Sequence, residues 1–497
     1  MSATRRNLII IGLLFVAVVG LALARVLPSE GRFETVHPLV VSGDVENVVE
    51  LGRVDEEDFS LRKAERDDRR LLALALSDVL EAAEPRTPHY RVLFVGSDGR
   101  SAEISGDHLE DNLLALGEEY GWEAINPSHP VSSNIKDLTE ILVVAEDPPP
   151  DVTVNISREG ETLKRHTVGE LLADGYGVRS RSVGSSTQVG GELSLKAEIF
   201  QRERVVDLRR LAGDVELQTV LLVGEMGEMV SVSAGSQVIL GDNSLSYRED
   251  ADSVVPAVRG VILDPPKRYN TDIYHDAVRS LEDGEDTMIV LVDGFGWHQY
   301  RHLVEREALP YLGSVGEAAP ALAVFPSITP VNLTAAITGV LPAESGVVAR
   351  DTRRPEVETI FMWCRERGLK ERLVMGPIAP IEAGTDPVFS SDSDGDGSDD
   401  DEVFENALNM VEQDYDLLMV HFKGVDSAGH THGALAEETL DTAVEIDGYI
   451  ERLAESWDGR ILVFADHGMK TIDDGGEHRL CVYEDMYVPH WDIPPTP

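Results

Sequence analysis

From Asp286 to the end of the chain, apolar runs alternate with helical patterns, and this alternation constrains the fold more than any other feature. Three runs predict buried strands and two segments predict helices: Met288–Val292, Leu417–His421 and Ile461–Ala465, then 331–338 and 434–456. Strands that alternate with helices favour a mostly parallel sheet with helices on both faces. We therefore predict an α/β domain over residues 273–497.

Seven residues near the ends of these elements are candidate metal ligands: Asp293, Thr329, Asp426, His430, Asp466, His467 and His478. Open α/β sheets bind ligands beyond the carboxyl ends of their strands, so segments that follow strands can converge on one crevice. Asp293 and Asp466 each follow an apolar run. Asp426 and His430 are four residues apart, and they can share one metal if the loop enters a helical turn. The pattern predicts a two-metal site for phosphate esters.

Thr329 stands at the predicted start of a helix, because Pro330 follows it and an apolar helical pattern continues from Leu333. A threonine before a proline is a common helix start, so the simplest interpretation of Thr329 alone is a helix cap. The same position suits a nucleophile, since a helix N-terminus can hold a phosphoryl oxygen and a bound metal lowers the pKa of a hydroxyl group. Asn332, one turn on, is predicted to donate its side-chain amide to the same phosphoryl oxygens.

Taken together, five short motifs resemble the alkaline phosphatase superfamily, and most closely its type I phosphodiesterase/nucleotide pyrophosphatase branch. The motifs are Asp293-Gly294, Thr329 with Asn332, Thr338-Gly-Val-Leu-Pro342, Asp426-Ser-Ala-Gly-His-Thr-His-Gly433 and Asp466-His-Gly468. The resemblance covers residues 286–480 and implies an alkaline-phosphatase-like sheet with phosphate-ester chemistry.

The resemblance also implies two divalent metal ions, most simply Zn²⁺ and alternatively Mn²⁺, since the ligands offer oxygen and imidazole nitrogen. One ion would be held by Asp293, Thr329, Asp466 and His467, and the other by Asp426, His430 and His478. His478 follows Asp466-His467 more closely than is usual in the nucleotide pyrophosphatase branch. The rival candidates for this last ligand are His432 and His490.

The implied activity is that of a phosphoric ester hydrolase, either a phosphodiesterase or a phosphatase. Thr329 would attack phosphorus, and water would then cleave the phosphothreonine. Two alternatives stay open. A phospho-group transferase acting on membrane lipid or glycan would pass the same phosphothreonine to an alcohol, whereas a catalytically inactive relative would only bind metal or an anion.

Residues 1–30 predict a membrane anchor or an export signal. Arg5-Arg6 precede an uninterrupted apolar run from Leu8 to Ala24, which is at the short limit for spanning a bilayer. Positive charge before the run predicts a single-pass anchor in the cell membrane with the bulk of the chain extracytoplasmic. The alternative is a secreted protein whose signal peptide is cleaved at Ala22-Leu-Ala24.

Residues 31–272 predict two small β-rich domains, because short strand patterns and turn residues dominate there. A weak internal repeat supports this division. Three pairs of segments match: Val92–Gly99 with Val220–Gly227, Glu140–Val144 with Gly260–Leu263 and, more faintly, Ser42–Val45 with Gly190–Leu193. We therefore predict domains over residues 31–150 and 151–272, divided near Asp147–Asp151.

The formal net charge of −47 arises from 90 acidic and 43 basic residues spread along the chain. No basic stretch could track a phosphate backbone, so a nucleic-acid partner is not expected. The predicted partners are a phosphate-ester substrate and, through the N-terminal helix, the membrane.

One acidic segment has the spacing of the first half of a calcium-binding loop, with Asp392, Asp394 and Asp396 followed by Gly397. Position twelve of that loop would be Val403 rather than a glutamate. A Ca²⁺ site at these three aspartates is therefore one interpretation, and a solvated acidic loop is the other.

Overall fold

The computed structural model describes residues 34–53, 59–66, 69–190, 193–213, 215, 218–249 and 254–495. The chain divides into two compact units, one that ends at Asp147 and one that begins at Pro148. The apolar run from Leu8 to Ala24 lies outside the described residues, and within those residues no helix is long and apolar enough to cross a membrane. The membrane anchor and its cleaved alternative therefore stay predictions.

The strands of the described chain are β1 (Glu34–Gly43), β2 (Val49–Arg53), β3 (Leu61–Arg66), β4 (Arg69–Ala75), β5 (Tyr90–Gly96), β6 (Ser101–Ser105), β7 (Leu113–Gly117), β8 (Gly121–Ile125), β9 (Leu138–Ala145), β10 (Val154–Arg158), β11 (Glu161–His166), β12 (Gly177–Gly190), β13 (Leu193–Asp207), β14 (Thr219–Gly224), β15 (Met229–Ser233), β16 (Gln237–Leu240), β17 (Leu245–Arg248), β18 (Val254–Val255), β19 (Val258–Leu263), β20 (Arg268–Tyr269), β21 (Thr287–Val292), β22 (Ala319–Leu322), β23 (Glu371–Met375), β24 (Val388–Phe389), β25 (Leu417–Phe422), β26 (Arg460–Phe464), β27 (Lys470–Ile472), β28 (Gly475–Glu477) and β29 (Tyr487–Ile493).

The α-helices are α1 (Leu76–Ala83), α2 (Val168–Ala173), α3 (Leu208–Ala212), α4 (Asp272–Glu282), α5 (Trp297–Glu305), α6 (Thr329–Thr338), α7 (Pro342–Ser345), α8 (Ile360–Glu366), α9 (Asp400–Val411), α10 (Gly424–His432), α11 (Glu437–Ser456) and α12 (Tyr483–Met486).

The first unit contains two sheets, with strand orders β2-β1-β9-β5-β6 and β3-β4-β7-β8. Side chains of β5 are alternately buried and half-buried, and Val92 and Phe94 point into the core. The same core holds Trp122, whose indole N–H donates to the carbonyl oxygen of Leu51 at 3.0 Å.

The β-rich region at the start of the second unit repeats this topology. Its sheets have the orders β11-β10-β19-β14-β15 and β12-β13-β16-β17-β18. Val95 pairs with Glu140 in the first copy, and Val223 pairs with Gly260 in the second. These pairs join residues that the sequence repeat matches with one another, so the corresponding sheets of the two copies share strand order and register.

One element of the predicted repeat was wrong, namely the match of Ser42–Val45 with Gly190–Leu193. The sheet order makes β10 the counterpart of β1, because each pairs in parallel with the last strand of its copy. Gly190 and Leu193 belong instead to the long β12–β13 hairpin. The short Gly-rich resemblance carried no information about strand pairing.

The α/β region is built on an eight-stranded sheet with the order β20-β22-β29-β26-β21-β25-β23-β24. All neighbours are parallel except at β29, which is antiparallel to both β22 and β26. Every residue of β21 is buried, as expected for a central parallel strand that is covered on both sides. The predicted mostly parallel sheet is therefore present, with one antiparallel strand added.

Helices cover both faces of this sheet. Met288 and Val290 of β21 pack into one core, and Ile289 and Leu291 pack into the other. The first core also contains Tyr300 of α5, Val403 of α9 and Ile450 of α11. The second core contains Ile273 of α4, Ile337 of α6 and Phe361 of α8. This confirms the predicted α/β layering.

The second β-rich region and the α/β region share a core. Leu221 and Val223 of β14 and Ile262 of β19 belong to the same buried cluster as Val290. Gly260 of β19 lies so close to Cys481 that a Cβ atom on it would be 2.0 Å from the cysteine Sγ. The sequence predicted a separate domain over residues 151–272, whereas this segment packs as part of the second unit; the exact boundaries remain a prediction.

The contact between Gly260 and Cys481 gives a test of that packing. We expect Gly260→Ala to lower the free energy of unfolding by about 1–3 kcal/mol, because the added methyl group overpacks a buried junction. Adding Cys481→Ala to the same chain removes the Sγ atom and should recover most of that loss. Denaturant unfolding of both single variants and the double variant measures the coupling; strictly additive effects would contradict the shared core.

Candidate active site

The predicted ligands lie at the carboxyl ends of the central strands. Asp293 directly follows β21, and Asp466 and His467 follow β26, which is the neighbour of β21 in the sheet. Thr329 is the first residue of α6, and Asp426 lies in α10, which follows β25 on the other side of β21. The order of parallel strands therefore brings segments that are far apart in sequence to one edge of the sheet.

The first cluster consists of Asp293, Asp466 and His467, with one ligand atom of each within 4.8 Å of the others. His467 Nε2 lies 3.5 Å from Asp293 Oδ1 and 3.3 Å from Asp466 Oδ2. Thr329 Oγ1 lies 3.4 Å from Asp293 Oδ1 and 3.3 Å from His467 Nε2. All four residues of the first predicted ligand set thus meet at one point.

Thr329 does not act as a helix cap. The N-cap residue of α6 is Ile328, and no side chain caps this end. The Thr329 hydroxyl instead faces the first cluster, as the distances to Asp293 and His467 show. The geometry therefore favours the nucleophile interpretation over the simpler one.

The second cluster consists of Asp426, His430 and His478. Asp426 Oδ1 lies 3.4 Å from His430 Nε2 and 3.6 Å from His478 Nε2. Asp426 and His430 stand one turn apart on α10. This is the helical turn that a metal shared by the two residues needs. His478 follows the β27–β28 ribbon, which is tied to α10 because the Gly476 carbonyl oxygen accepts from His430 Nδ1 at 2.9 Å.

The two clusters are adjacent. The rings of His467 and His478 stack with centroids 3.8 Å apart. Gly294, in the left-handed region at φ 76°, lets the backbone after Asp293 approach α10, since a Cβ there would be 2.8 Å from the Asp426 Cα. A side chain at position 294 would push the two clusters apart.

Neither rival for the last ligand lies in a cluster. His490, on β29, is buried and donates through Nε2 to Asn270 Oδ1 at 2.9 Å. His432 is exposed at the end of α10. Among the described residues, His478 is the histidine that completes the second cluster.

The histidines of both clusters are oriented as metal ligands are. Nδ1 of His430, His467 and His478 lies 2.8–2.9 Å from a backbone carbonyl oxygen. A carbonyl can only accept, so Nδ1 carries the proton and the lone pair of Nε2 faces the carboxylates. Backbone carbonyls commonly fix the tautomer of metal-binding histidines in this way.

The carboxylates of the clusters are short of positive partners. Asp426 Oδ1 and Asp466 Oδ2 are shielded from solvent and have no hydrogen-bond partner among the described residues. Burial raises the pKa of Asp293 well above its usual value, and the charges of Asp466 and Asp426 add to that rise. Burial likewise raises the pKa of Asp466 to about 7. Burying such charges is unfavourable unless a cation compensates them, so the residues fit a pair of divalent ions.

Two residues that support the first cluster escaped the sequence analysis. His421, on β25, donates through Nε2 to Asp293 Oδ2 at 2.8 Å, and burial lowers its pKa to about 3. Asn270 donates to the Asp466 carbonyl oxygen at 2.7 Å. His421 ends a predicted strand and could have been found by its position, whereas Asn270 lies in no motif.

The expected role of the Asn332 amide is not what the structure shows. Asn332 is fully buried, and its Nδ2 donates to the carbonyl oxygens of Val324, Pro326 and Ile328 at 2.9–3.4 Å. Its Oδ1 accepts from the Val324 N–H at 2.7 Å and from Asn270 Nδ2 at 3.1 Å. The amide therefore fastens the loop before α6 and positions Thr329, rather than facing a phosphoryl oxygen.

Residues 287–391 and 378–490 match the family model described as type I phosphodiesterase / nucleotide pyrophosphatase. This region is therefore similar to the type I phosphodiesterase / nucleotide pyrophosphatase family, which its motifs resemble. The motif resemblance is thereby confirmed, and the family it names consists of phosphoryl-handling enzymes.

Individual relatives cover only part of the chain. A stretch of 95 residues is 37% identical to human GPI ethanolamine phosphate transferase 3, catalytic subunit, covering 18% of this chain and 8% of that protein. Two similar solved structures are murine ectonucleotide pyrophosphatase / phosphodiesterase 5 in complex with AMP (16% identity, TM-score 0.31) and phosphonoacetate hydrolase from Sinorhizobium meliloti 1021 in complex with phosphonoformate (19%, 0.32). Each similarity covers 37% of this chain and 57% of the other. The chain thus spans less than two thirds of each of these proteins.

The assignment of the last ligand can be tested by metal content. We expect His478→Ala to lose one of two bound divalent ions, because Asp426 and His430 alone leave the second cluster with two ligands. His432→Ala, the matched control two residues after His430 at the exposed end of α10, should keep both ions. Inductively coupled plasma mass spectrometry on dialysed protein measures the stoichiometry. Loss of an ion from the His432 variant instead would reverse the assignment.

The positioning role of Asn332 makes a separate prediction. Asn332→Ala should lower the free energy of unfolding by about 2–4 kcal/mol, since the buried Val324 N–H and the Asn270 amide lose their acceptor. Asn409→Ala on the exposed side of α9 should change it by less than about 0.5 kcal/mol. Chemical denaturation measures both. An Asn332 variant with unchanged stability and a raised KM would restore direct contact with the substrate.

Proposed function

We propose that this protein is a metal-dependent hydrolase of phosphate esters, a phosphodiesterase or phosphatase, with Thr329 as the nucleophile. The observation that carries the proposal is the position of the Thr329 hydroxyl, which leaves the helix uncapped and faces Asp293 and His467 at the edge of the first cluster. A purely structural threonine at this helix start would cap the first turn.

Seven residues would hold the metals: Asp293, Thr329, Asp466 and His467 for one ion, and Asp426, His430 and His478 for the other. When bound, two divalent ions would lower the pKa of the attacking hydroxyl and neutralise charge on the phosphoryl oxygens. Zn²⁺ is the simplest choice for three histidines with carboxylates, and Mn²⁺ is the alternative.

The residues of the chain would carry two displacements. Thr329 Oγ1 would form a bond to phosphorus while the bond to the alcohol leaving group breaks, and the hydroxyl proton would end on that alcohol. The positive end of α6 favours the negative charge of the phosphoryl group beside Thr329. Water would then split the phosphothreonine, which returns the hydroxyl group. Through Asp293 and Asp466, His421 and Asn270 would keep the first cluster in place.

A transferase is the second candidate, favoured by the 37% identity over 95 residues with the GPI ethanolamine phosphate transferase subunit. The first displacement would be the same, and an alcohol of a membrane lipid or glycan would replace water in the second. A catalytically inactive metal-binding or anion-binding relative is less well supported, because the nucleophile and both clusters are present together.

We also propose that the protein works outside the cell membrane, held by the apolar run from Leu8 to Ala24. The support is the sequence alone: the run is uninterrupted and follows Arg5-Arg6. A site outside the membrane agrees with a substrate that is a lipid headgroup, a glycan or an extracellular phosphate ester.

Hydrolysis of bis-p-nitrophenyl phosphate and p-nitrophenyl phosphate tests the proposal. We expect metal-dependent turnover that falls by about 10³-fold or more in Thr329→Ala, because the nucleophile is lost, while Thr329→Ser keeps part of it. Thr442→Ala on α11 is the matched control and should leave the rate unchanged. The preferred ester separates a diesterase from a monoesterase.

Two further results would decide against hydrolysis. Turnover only on addition of an alcohol acceptor, still dependent on Thr329, would favour the transferase. Bound metal without turnover under either condition would favour the inactive relative, and equal rates in wild type and Thr329→Ala would remove the threonine from the mechanism.

A further inference from the structure

A second group of carboxylates lies between β24 and α9, outside the proposed catalytic clusters. Asp392, Asp394 and Asp396 are exposed, and one oxygen of each lies within 4.8 Å of the others. A second triplet, Asp394 with Asp401 and Glu402, meets the same distance limit. Asp394 belongs to both triplets, so five carboxylates form one continuous cluster.

Two oxygens of this cluster are buried and have no hydrogen-bond partner among the described residues. Glu402 is only 9% exposed, and its Oε2 atom has no hydrogen-bond partner among the described residues. Oδ1 of Asp401 is in the same condition. Burial raises the pKa of Asp401, and the charges of Glu402, Asp396 and Asp394 raise it further. These carboxylates repel one another, so a cation between them would be favourable.

Glu402 supplies the carboxylate that is missing at position twelve of the calcium-loop spacing. The twelfth position is occupied by Val403 of α9, whose apolar side chain is fully buried in the core of the α/β region and cannot act as a ligand. Glu402 stands one position earlier and turns back to the loop, where its Oε1 accepts from the Ser393 hydroxyl group at 2.7 Å. Its other oxygen stays free for a ligand role at the end of the loop.

The cluster is connected to α10, which carries Asp426 and His430. Asp400 opens α9 beside Asp401 and is 3% exposed. Its carboxylate accepts from the backbone N–H groups of Lys423 at 2.8 Å and Gly424 at 2.9 Å. These two residues are the N-cap and the first residue of α10. The first turn of α9 therefore fixes where α10 begins.

We propose that the loop 392–402 binds one Ca²⁺ ion through Asp392, Asp394, Asp396, Asp401 and Glu402, and that this ion holds Asp400 against the start of α10. Ca²⁺ is the cation class that fits, because the ligands are oxygen atoms only, whereas Zn²⁺ prefers nitrogen or sulfur. The role is structural: it secures the helix that presents two proposed ligands of the second catalytic cluster. The site does not depend on whether the clusters catalyse.

The first experiment compares thermal unfolding of the full chain with and without millimolar Ca²⁺. The test variant is Asp394→Asn/Glu402→Gln, and the matched control is Glu438→Gln/Asp441→Asn on α11, which removes the same charge. We expect Ca²⁺ to raise the Tm of wild type and control by about 3 °C or more and to leave the test variant unchanged. Ca²⁺ that enters the catalytic clusters affects all three proteins alike, so the difference isolates the loop.

The Ca²⁺-free state supplies the check that the variant folds. Removing two like charges should leave its Tm equal to or above that of wild type in Ca²⁺-free buffer. Hydrogen exchange of the peptide that contains Lys423 and Gly424 should slow on addition of Ca²⁺ in wild type and not in the variant. An equal Ca²⁺ response in variant and control, an equal response to NaCl at the same ionic strength, or no response in wild type would each overturn the proposal.

Discussion

Three buried aspartates at the carboxyl ends of central parallel strands determine which ligands the rest of the site can hold. Asp293, Asp466 and Asp426 come from three different segments, yet the charges of Asp466 and Asp426 raise the cost of ionising Asp293, and that of Asp426 raises the cost of ionising Asp466. Two of their oxygens have no hydrogen-bond partner among the described residues. Such an arrangement is unfavourable unless protons or cations neutralise the carboxylates, and divalent cations between them would do so. The histidines, with their protonated nitrogens turned to backbone carbonyls, offer lone pairs to the same space.

Residues around the clusters hold the buried aspartates and Thr329 in position. His421 holds one oxygen of Asp293, and Asn270 holds the backbone of Asp466. Asn332 fastens the loop from which Thr329 emerges. These contacts explain how a hydroxyl group at a helix start can face two proposed metal ligands without capping its own helix. The proposed nucleophilic role of Thr329 rests on that position, and whether water or an alcohol would complete the reaction depends on which of them reaches the phosphothreonine.

The sequence predicted the site well where a residue had a local signature. Asp293 and Asp466 follow apolar runs, and Asp426 with His430 has helical spacing, so the strand order of an α/β sheet was enough to bring them together. His421 and Asn270 act through single contacts across the sheet, which no local pattern encodes. The direction of the Asn332 amide depended on the loop before α6, and the antiparallel direction of β29 depended on tertiary packing. The internal repeat predicted a shared topology, but not that the second copy would join the core of the α/β region.

Two cations are proposed to occupy the two clusters. X-ray diffraction from crystals soaked with Zn²⁺, collected on both sides of the zinc absorption edge, tests this proposal most directly. Two anomalous peaks per chain are expected. One should lie among Asp293, Asp466, His467 and the Thr329 hydroxyl, and the other among Asp426, His430 and His478. No peak at these positions, or a peak that replaces His478 by another histidine, would contradict it.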